Sequence, residues 1–209
     1  LRVFGYIRAM TRLLLCLSVA LLVGPGCEPL PPSNSVAVLP PMEVHFSPHG
    51  GCTDAIVGEL GRSERSILVQ AYSFTSAPIA EALRSAHQRG VEVAVVLDKS
   101  QETEKYSSAD FLLHAGIPTQ IDRRHAIAHN KVMILDGRTV ITGSFNFTKS
   151  AEESNAENLL IIRDPAIADL YTQNWMLHAA HSEPYQGKKS SDSGDRGSPG
   201  KKNKASSRR

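Results

Sequence analysis

Six side chains suited to phosphate chemistry fall between positions 129 and 157: His129, Lys131, Asp136, Ser144, Asn146 and Glu157. In an extended strand alternate residues share a face, so His129 and Lys131 project together, and so do Ser144 and Asn146. An ammonium offsets the charge of a phosphate, while an imidazole attacks phosphorus or passes a proton. A hydroxyl and an amide can donate to the non-bridging oxygens, where charge builds in the transition state. Glu157 could accept the other imidazole N–H, which would fix the tautomer and raise basicity. Asp136 precedes Gly137, and it reads equally well as a catalytic carboxylate or as a turn residue. Any one of these side chains alone is ordinary surface or turn chemistry. Their order and spacing together describe a phosphodiester-cleaving site.

Such a site needs a scaffold, and the periodicity supplies one. Strands are expected over 42–47, 66–72, 91–97 and 117–121, with helices over 54–62, 77–89 and 109–114 between them. Ser76 and Pro78 suit the start of the second helix, and Gly90 suits its end. Ser107 and Asp110 have capping-box spacing for the third, which Gly116 closes. Strands at 128–135 and 139–142 flank Asp136-Gly137-Arg138, a hairpin signal. A strand at 158–162 follows, and Asp164-Pro165 opens a last helix running to about 181. The expected fold class is α/β, a mixed β-sheet flanked by helices on both faces. No internal repeat is visible, so each chain carries one copy of the motif.

Charge is unevenly distributed. Residues 27–187 hold twelve Lys/Arg against nineteen Asp/Glu, a net −7, whereas 188–209 hold eight against two, a net +6. The acidic body limits binding to nucleic acid through bulk charge. Residues 1–26 resemble an export signal: Arg2, Arg8 and Arg12 precede an apolar run over 13–23, too short for a comfortable membrane span. Cys27 follows Gly24-Pro25-Gly26 and is a candidate lipidation site, with plain cleavage and an uncleaved anchor as alternatives. Residues 27–41 form a Pro-rich linker, 42–186 the catalytic domain, and 187–209 a basic tail expected to be disordered. No Cys/His cluster with zinc-ligand spacing is apparent.

His129-x-Lys131 with Asp136, followed by Gly143-Ser144-x-Asn146, resembles the HKD signature of the phospholipase D superfamily. It is most similar to the small single-motif bacterial endonucleases of that group. The likeness also includes Phe46-Ser47-Pro48, the run from Ala71 to Thr75, and Glu157-Asn158, so it spans about 43–180. The resemblance implies a phospholipase D/nuclease-like sandwich and a homodimer in which two motifs share one site. It implies a covalent phosphohistidine on His129, protonation of the leaving oxygen by the partner's imidazole, and phosphate binding by Lys131, Ser144 and Asn146. It implies no metal or other cofactor.

Two substrate classes use the same residues. An exported nuclease acting on DNA or RNA is the first expectation, because Asp122-Arg123-Arg124-His125 and Lys149 suggest a polar rim. A phospholipase D acting on phospholipid headgroups is the second; in either case the exported protein is expected to be periplasmic, a membrane-anchored lipoprotein or secreted. A non-catalytic surface-tethered binding protein is the third, and the intact His129, Lys131, Ser144 and Asn146 weigh against it.

Overall fold

A computed structural model describes residues 39–188; the expected signal, Cys27, most of the linker and nearly all of the basic tail lie outside them. Eight strands form one sheet: β1 (Met42–Ser47), β2 (Ser66–Ala71), β3 (Glu92–Asp98), β4 (Thr119–Asp122), β5 (Lys131–Leu135), β6 (Thr139–Gly143), β7 (Glu157–Arg163) and β8 (Glu183–Pro184). Their spatial order is β1-β7-β6-β5-β2-β3-β4-β8. Strands β2, β3 and β4 run parallel, and the remaining pairs are antiparallel. The mixed sheet expected from alternating strands and helices is therefore present.

Strand alternation divides the core. Met133, Leu135 and Ile141 face one side, where they pack with Ile56 and Leu60 of α1 (Cys52–Arg62), Ile79 and Leu83 of α2 (Ala77–Gln88), and Leu112 of α3 (Ala109–His114). Val132, Ile134 and Val140 face the other side and meet Ala168 and Trp175 of α5 (Pro165–Ala179). Complete burial of such side chains stabilises by about 1.5–3 kcal/mol each before entropy is counted. The Trp175 indole N–H donates to Val69 O at 2.9 Å, so the largest side chain on that face buries no unpaired donor.

Several boundaries differ from the sequence expectation, each for a local reason. Helix α1 begins at Cys52 because the Glu152 carboxylate, from α4 (Lys149–Glu153), accepts from Gly51 N and Thr53 N at 3.0 and 2.7 Å. No periodicity rule anticipates a cap from a hundred residues away. The capping box at α3 does not form: Asp110 instead accepts from the Tyr185 hydroxyl at 2.8 Å. Ser76 makes no side-chain cap to α2, whereas Asp164 caps α5 through Ile167 N at 2.9 Å. Strand β5 starts at Lys131, three residues later than expected. Ala128 N donates to Asp98 Oδ2 at 2.7 Å, which holds that residue in a loop.

The topology gathers five strand ends at one edge. Ala71 pairs with Lys131, Gly143 with Leu159, and Ser47 with Glu157. The carboxyl ends of β2, β6 and β1 thus meet the amino ends of β5 and β7. Ligands of open α/β sheets bind at the carboxyl ends of their parallel strands, and the candidate residues collect at that edge.

Candidate active site

His129 is exposed and follows a loop tethered at both ends. Upstream, Asp98 holds Ala128 N; downstream, Tyr72 N donates to Asn130 O at 2.8 Å. The His129 ring lies against Tyr72, with centroids 4.6 Å apart and planes inclined by 56°. Lys131 Nζ donates to His129 O at 2.9 Å and sits 5.1 Å from the centre of the same Tyr72 ring. The imidazole and the ammonium therefore meet at the Tyr72 ring, although His129 precedes the strand that carries Lys131. Lys131 is buried, with 6 % of its surface exposed. Burial lowers the ammonium's pKa, and the nearby Glu157 carboxylate opposes that shift. A cation with its own water largely removed is a stronger partner for phosphate than a solvated lysine.

Gly143 ends β6 with φ 146°, and a Cβ there would lie 2.3 Å from Asn158 O. That close approach lets Asn158 O accept from both Ser144 N and Phe145 N, at 3.1 and 3.2 Å. Phe145 and Phe147 are fully buried, so Ser144 and Asn146 alternate outward between them. The Phe147 carbonyl accepts from Thr75 N and Ser76 N, tying this loop to the one that leaves β2 beyond Tyr72. The Asn146 side-chain carbonyl oxygen is buried without a partner. Unpaired buried polar groups are rare and collect at working sites.

Glu157 departs from the expected role. Its carboxylate accepts from the Ser144 hydroxyl at 2.6 Å and from the Asn155 side-chain amide at 3.1 Å. No hydrogen bond to His129 forms, because the His129 ring is laid against Tyr72 and both carboxylate oxygens have nearer donors. Asn158 donates to the Ser144 oxygen through its backbone N–H at 3.1 Å and its side-chain amide at 3.3 Å. Ser144 is thus the hub of the Glu157–Asn158 side of the site.

Of the two readings of Asp136, catalytic carboxylate or turn residue, its contacts fit the turn residue. It lies at the far end of β5, five residues from Lys131 and about 16 Å away along the strand. Its buried carboxylate accepts from Arg65 N at 2.7 Å, Ser66 N at 3.1 Å and Glu64 N at 3.2 Å. Its φ of 55° and Gly137's of 66° form the hairpin expected there. Burial pushes its pKa up, but the three backbone N–H groups and the Arg138 charge outweigh that and hold it below the ordinary value.

The expected rim is also altered. Arg123 is held by ion pairs to Glu102 and Glu183, and Lys149 lies 3.5 Å from Glu153. Tyr72, Asn155 and Asn158 were not among the expected site residues. Tyr72 could have been found from its place at the carboxyl end of an apolar strand. Asp122, His125, His178 and His181 also come together, their ligand atoms all within 4.8 Å of one another. The sequence reading missed this cluster because the fold joins two segments more than fifty residues apart.

The chain resembles known proteins in sequence and in shape. A family model described as the PLD-like domain of cardiolipin synthase matches residues 56–176. A Rickettsia felis protein named Phospholipase D is 47% identical over 135 residues, covering 65% of this chain and 68% of that protein. The mitochondrial cardiolipin hydrolase of Xenopus tropicalis is 33% identical over 114 residues, covering 54% of each. The crystal structure of Nuc from Salmonella typhimurium, a phospholipase D family member, matches with a TM-score of 0.68 and 36% identity. That match covers 70% of this chain and 98% of Nuc.

Proposed function

The chain belongs to the phospholipase D superfamily and is a phosphodiester hydrolase, and we propose that its substrate is the headgroup phosphodiester of a phospholipid. The rim carries this choice. Phe46 pairs with Asn158 across β1 and β7, and its side chain is 65 % exposed; Ile127, two residues before His129, is 58 % exposed. Apolar side chains beside a phosphate site suit a substrate with acyl chains, whereas Arg123 and Lys149 already face carboxylates. The net negative body does not draw in a polyanion. The likeness to proteins named Phospholipase D and mitochondrial cardiolipin hydrolase supports the same reading.

The chemistry proposed is a double displacement shared by two copies of the chain. A ring nitrogen of His129 forms a bond to phosphorus as the bond from phosphorus to the headgroup oxygen breaks. The partner's His129 gives a proton to that oxygen. The same imidazole then takes a proton from water, which attacks phosphorus, breaks the P–N bond and frees phosphatidate. The Lys131 ammonium offsets charge on the non-bridging oxygens. Ser144 and Asn146 donate to those oxygens once phosphate displaces Glu157 from the Ser144 hydroxyl. One motif per chain makes the dimer part of the mechanism. The segment before Cys27 serves as an export signal in this proposal, and Cys27 as a lipid attachment point at the membrane.

A nuclease is the second reading, favoured by the net +6 of residues 188–209 and by the resemblance to single-motif bacterial endonucleases. The test offers the purified full chain phosphatidylcholine vesicles, cardiolipin vesicles, DNA and RNA in parallel with His129→Ala. Release of phosphatidate from vesicles, lost in the variant, is expected. Turnover of nucleic acid alone would replace the lipid reading. Turnover retained in His129→Ala would remove the nucleophile.

A further inference from the structure

Three imidazoles unused by the phosphodiesterase site surround one carboxylate oxygen. Asp122 ends β4, and its side chain is 0 % exposed. Its Oδ1 accepts from Arg124 N at 3.0 Å and His125 N at 3.3 Å. Its Oδ2 faces His125 Nδ1 at 2.8 Å, His178 Nδ1 at 2.8 Å and His181 Nε2 at 3.2 Å. The three rings lie 4.7, 5.2 and 5.5 Å apart, centre to centre.

Hydrogen bonding alone does not account for this group. With Oδ1 occupied by backbone donors, Oδ2 would have to accept three imidazole N–H groups at once. The third fails: His181 Nε2 is near enough to Asp122 but misaligned, and it is buried with no hydrogen-bond partner. A cation at the centre would satisfy Oδ2 and all three ring nitrogens together. Ligand atoms of a tetrahedral ion with bonds of about 2.0–2.1 Å stand roughly 3.3 Å apart. The three Asp122 distances of 2.8, 2.8 and 3.2 Å are of that scale, and all four ligand atoms lie within 4.8 Å of one another, so the ring nitrogens draw together on the ion. His178 lies in the last turn of α5 and His181 in the turn just past it, where His181 N donates to His178 O at 3.3 Å and keeps the two rings on one side. The Oδ1 bonds fix the carboxylate so that one oxygen points inward, the kind of outer support metal ligands receive.

We propose that Asp122, His125, His178 and His181 form a binding site for one divalent transition-metal ion, Zn²⁺ foremost, through Asp122 Oδ2, His125 Nδ1, His178 Nδ1 and His181 Nε2. Imidazole nitrogens with one carboxylate suit Zn²⁺ over Mg²⁺ or Ca²⁺, which take oxygen ligands. Four protein ligands close the coordination sphere, so the ion is structural. It clamps the end of β4, the C-terminal end of α5 and the loop that delivers His129, four residues beyond His125. The ion thereby positions the nucleophile's loop without touching the phosphate.

The experiment reads metal and not turnover, so it stands apart from the phospholipase reading. The full chain, prepared without a polyhistidine tag and stripped by chelator, is titrated with ZnCl₂, and bound zinc and the melting temperature are measured. One zinc per chain is expected, with a rise in Tm of roughly 5–10 °C at a hundredfold excess over Kd. Co²⁺ in the same site should give the strong visible absorption of a tetrahedral centre. His181→Ala should weaken zinc binding by more than about 100-fold. His125→Ala changes a ligand on a partly exposed loop, so it supplies a folded variant should His181→Ala fail to fold, and the same loss is expected. A folded wild-type chain that takes up no stoichiometric zinc would overturn the site. So would unchanged one-to-one binding in folded His125→Ala, since the ion would then lie elsewhere.

Discussion

At the residue scale the site is a division of labour set by burial. His129 is exposed and free to react, while Lys131 beside it is buried and lies close to Tyr72. Because burial lowers the Lys131 pKa and Glu157 opposes that effect, Glu157→Gln should lower it further. The lysine must be charged to hold phosphate, so the alkaline limb of kcat/KM should move to lower pH in Glu157→Gln. A pH–rate profile of the variant checks this, and a limb that stays in place would remove Glu157 from the electrostatics of the site. The closeness of His129 to Lys131 and the outward alternation of Ser144 and Asn146 were legible in the sequence from their two-residue spacing, although His129, Ser144 and Asn146 lie just outside the strands. The partner of Glu157 was not legible. Which donor a carboxylate meets depends on the positions of three strand ends, and Ser144 lies nearer to it than the imidazole.

At the element scale the site depends on two features of the central hairpin. Gly143 has a backbone conformation closed to other residues and touches Asn158 O. Gly143→Ala should cost about 1–3 kcal/mol from backbone strain alone, with further loss from the clash, and should lower both Tm and activity. Differential scanning calorimetry beside an activity assay checks it. Asp136 works at the other end of the hairpin, where it anchors the start of β2. Asp136→Ala should cost roughly 2–4 kcal/mol of stability through its lost hydrogen bonds, with little effect on KM in the protein that remains folded. Its folded pKa is depressed, so its contribution is present above its unfolded value near about 3.9 and is lost as pH falls through the lower folded value. Acid unfolding of the wild type should therefore steepen below about pH 4, and Asp136→Ala should show less of that acid loss. Strand order could not be read from periodicity, but the existence of most strands could. The apolar runs at 66–71 and 131–135 are buried on both faces, and Asp164-Pro165 gave the start of α5. The boundaries that moved were those set by distant partners, namely Glu152 capping α1 and Asp98 holding Ala128.

At the scale of the whole molecule, the proposed mechanism has the one motif of each chain meet a second. The proposed mechanism requires one imidazole as nucleophile and another as proton donor, and each chain carries one His129-x-Lys131 motif. Wild-type chains mixed and re-annealed with excess His129→Ala should lose activity beyond simple dilution, because heterodimers carry one imidazole where two are needed. Activity falling only in proportion to dilution would mean that each chain works alone. In the sequence the proposed dimer rests on the single motif alone, since no surface pattern marks a contact. The Asp122–His125–His178–His181 cluster belongs to this scale too: its residues become neighbours only once α5 has packed across the sheet. The most direct test of the account is rapid acid-free quenching of the full chain during turnover of a phosphodiester labelled at phosphorus, followed by peptide mass analysis. The account predicts a labelled, acid-labile adduct on His129, formed within one turnover and absent in His129→Ala. A full rate of hydrolysis with label on no histidine, or with label on a residue other than His129, would contradict it.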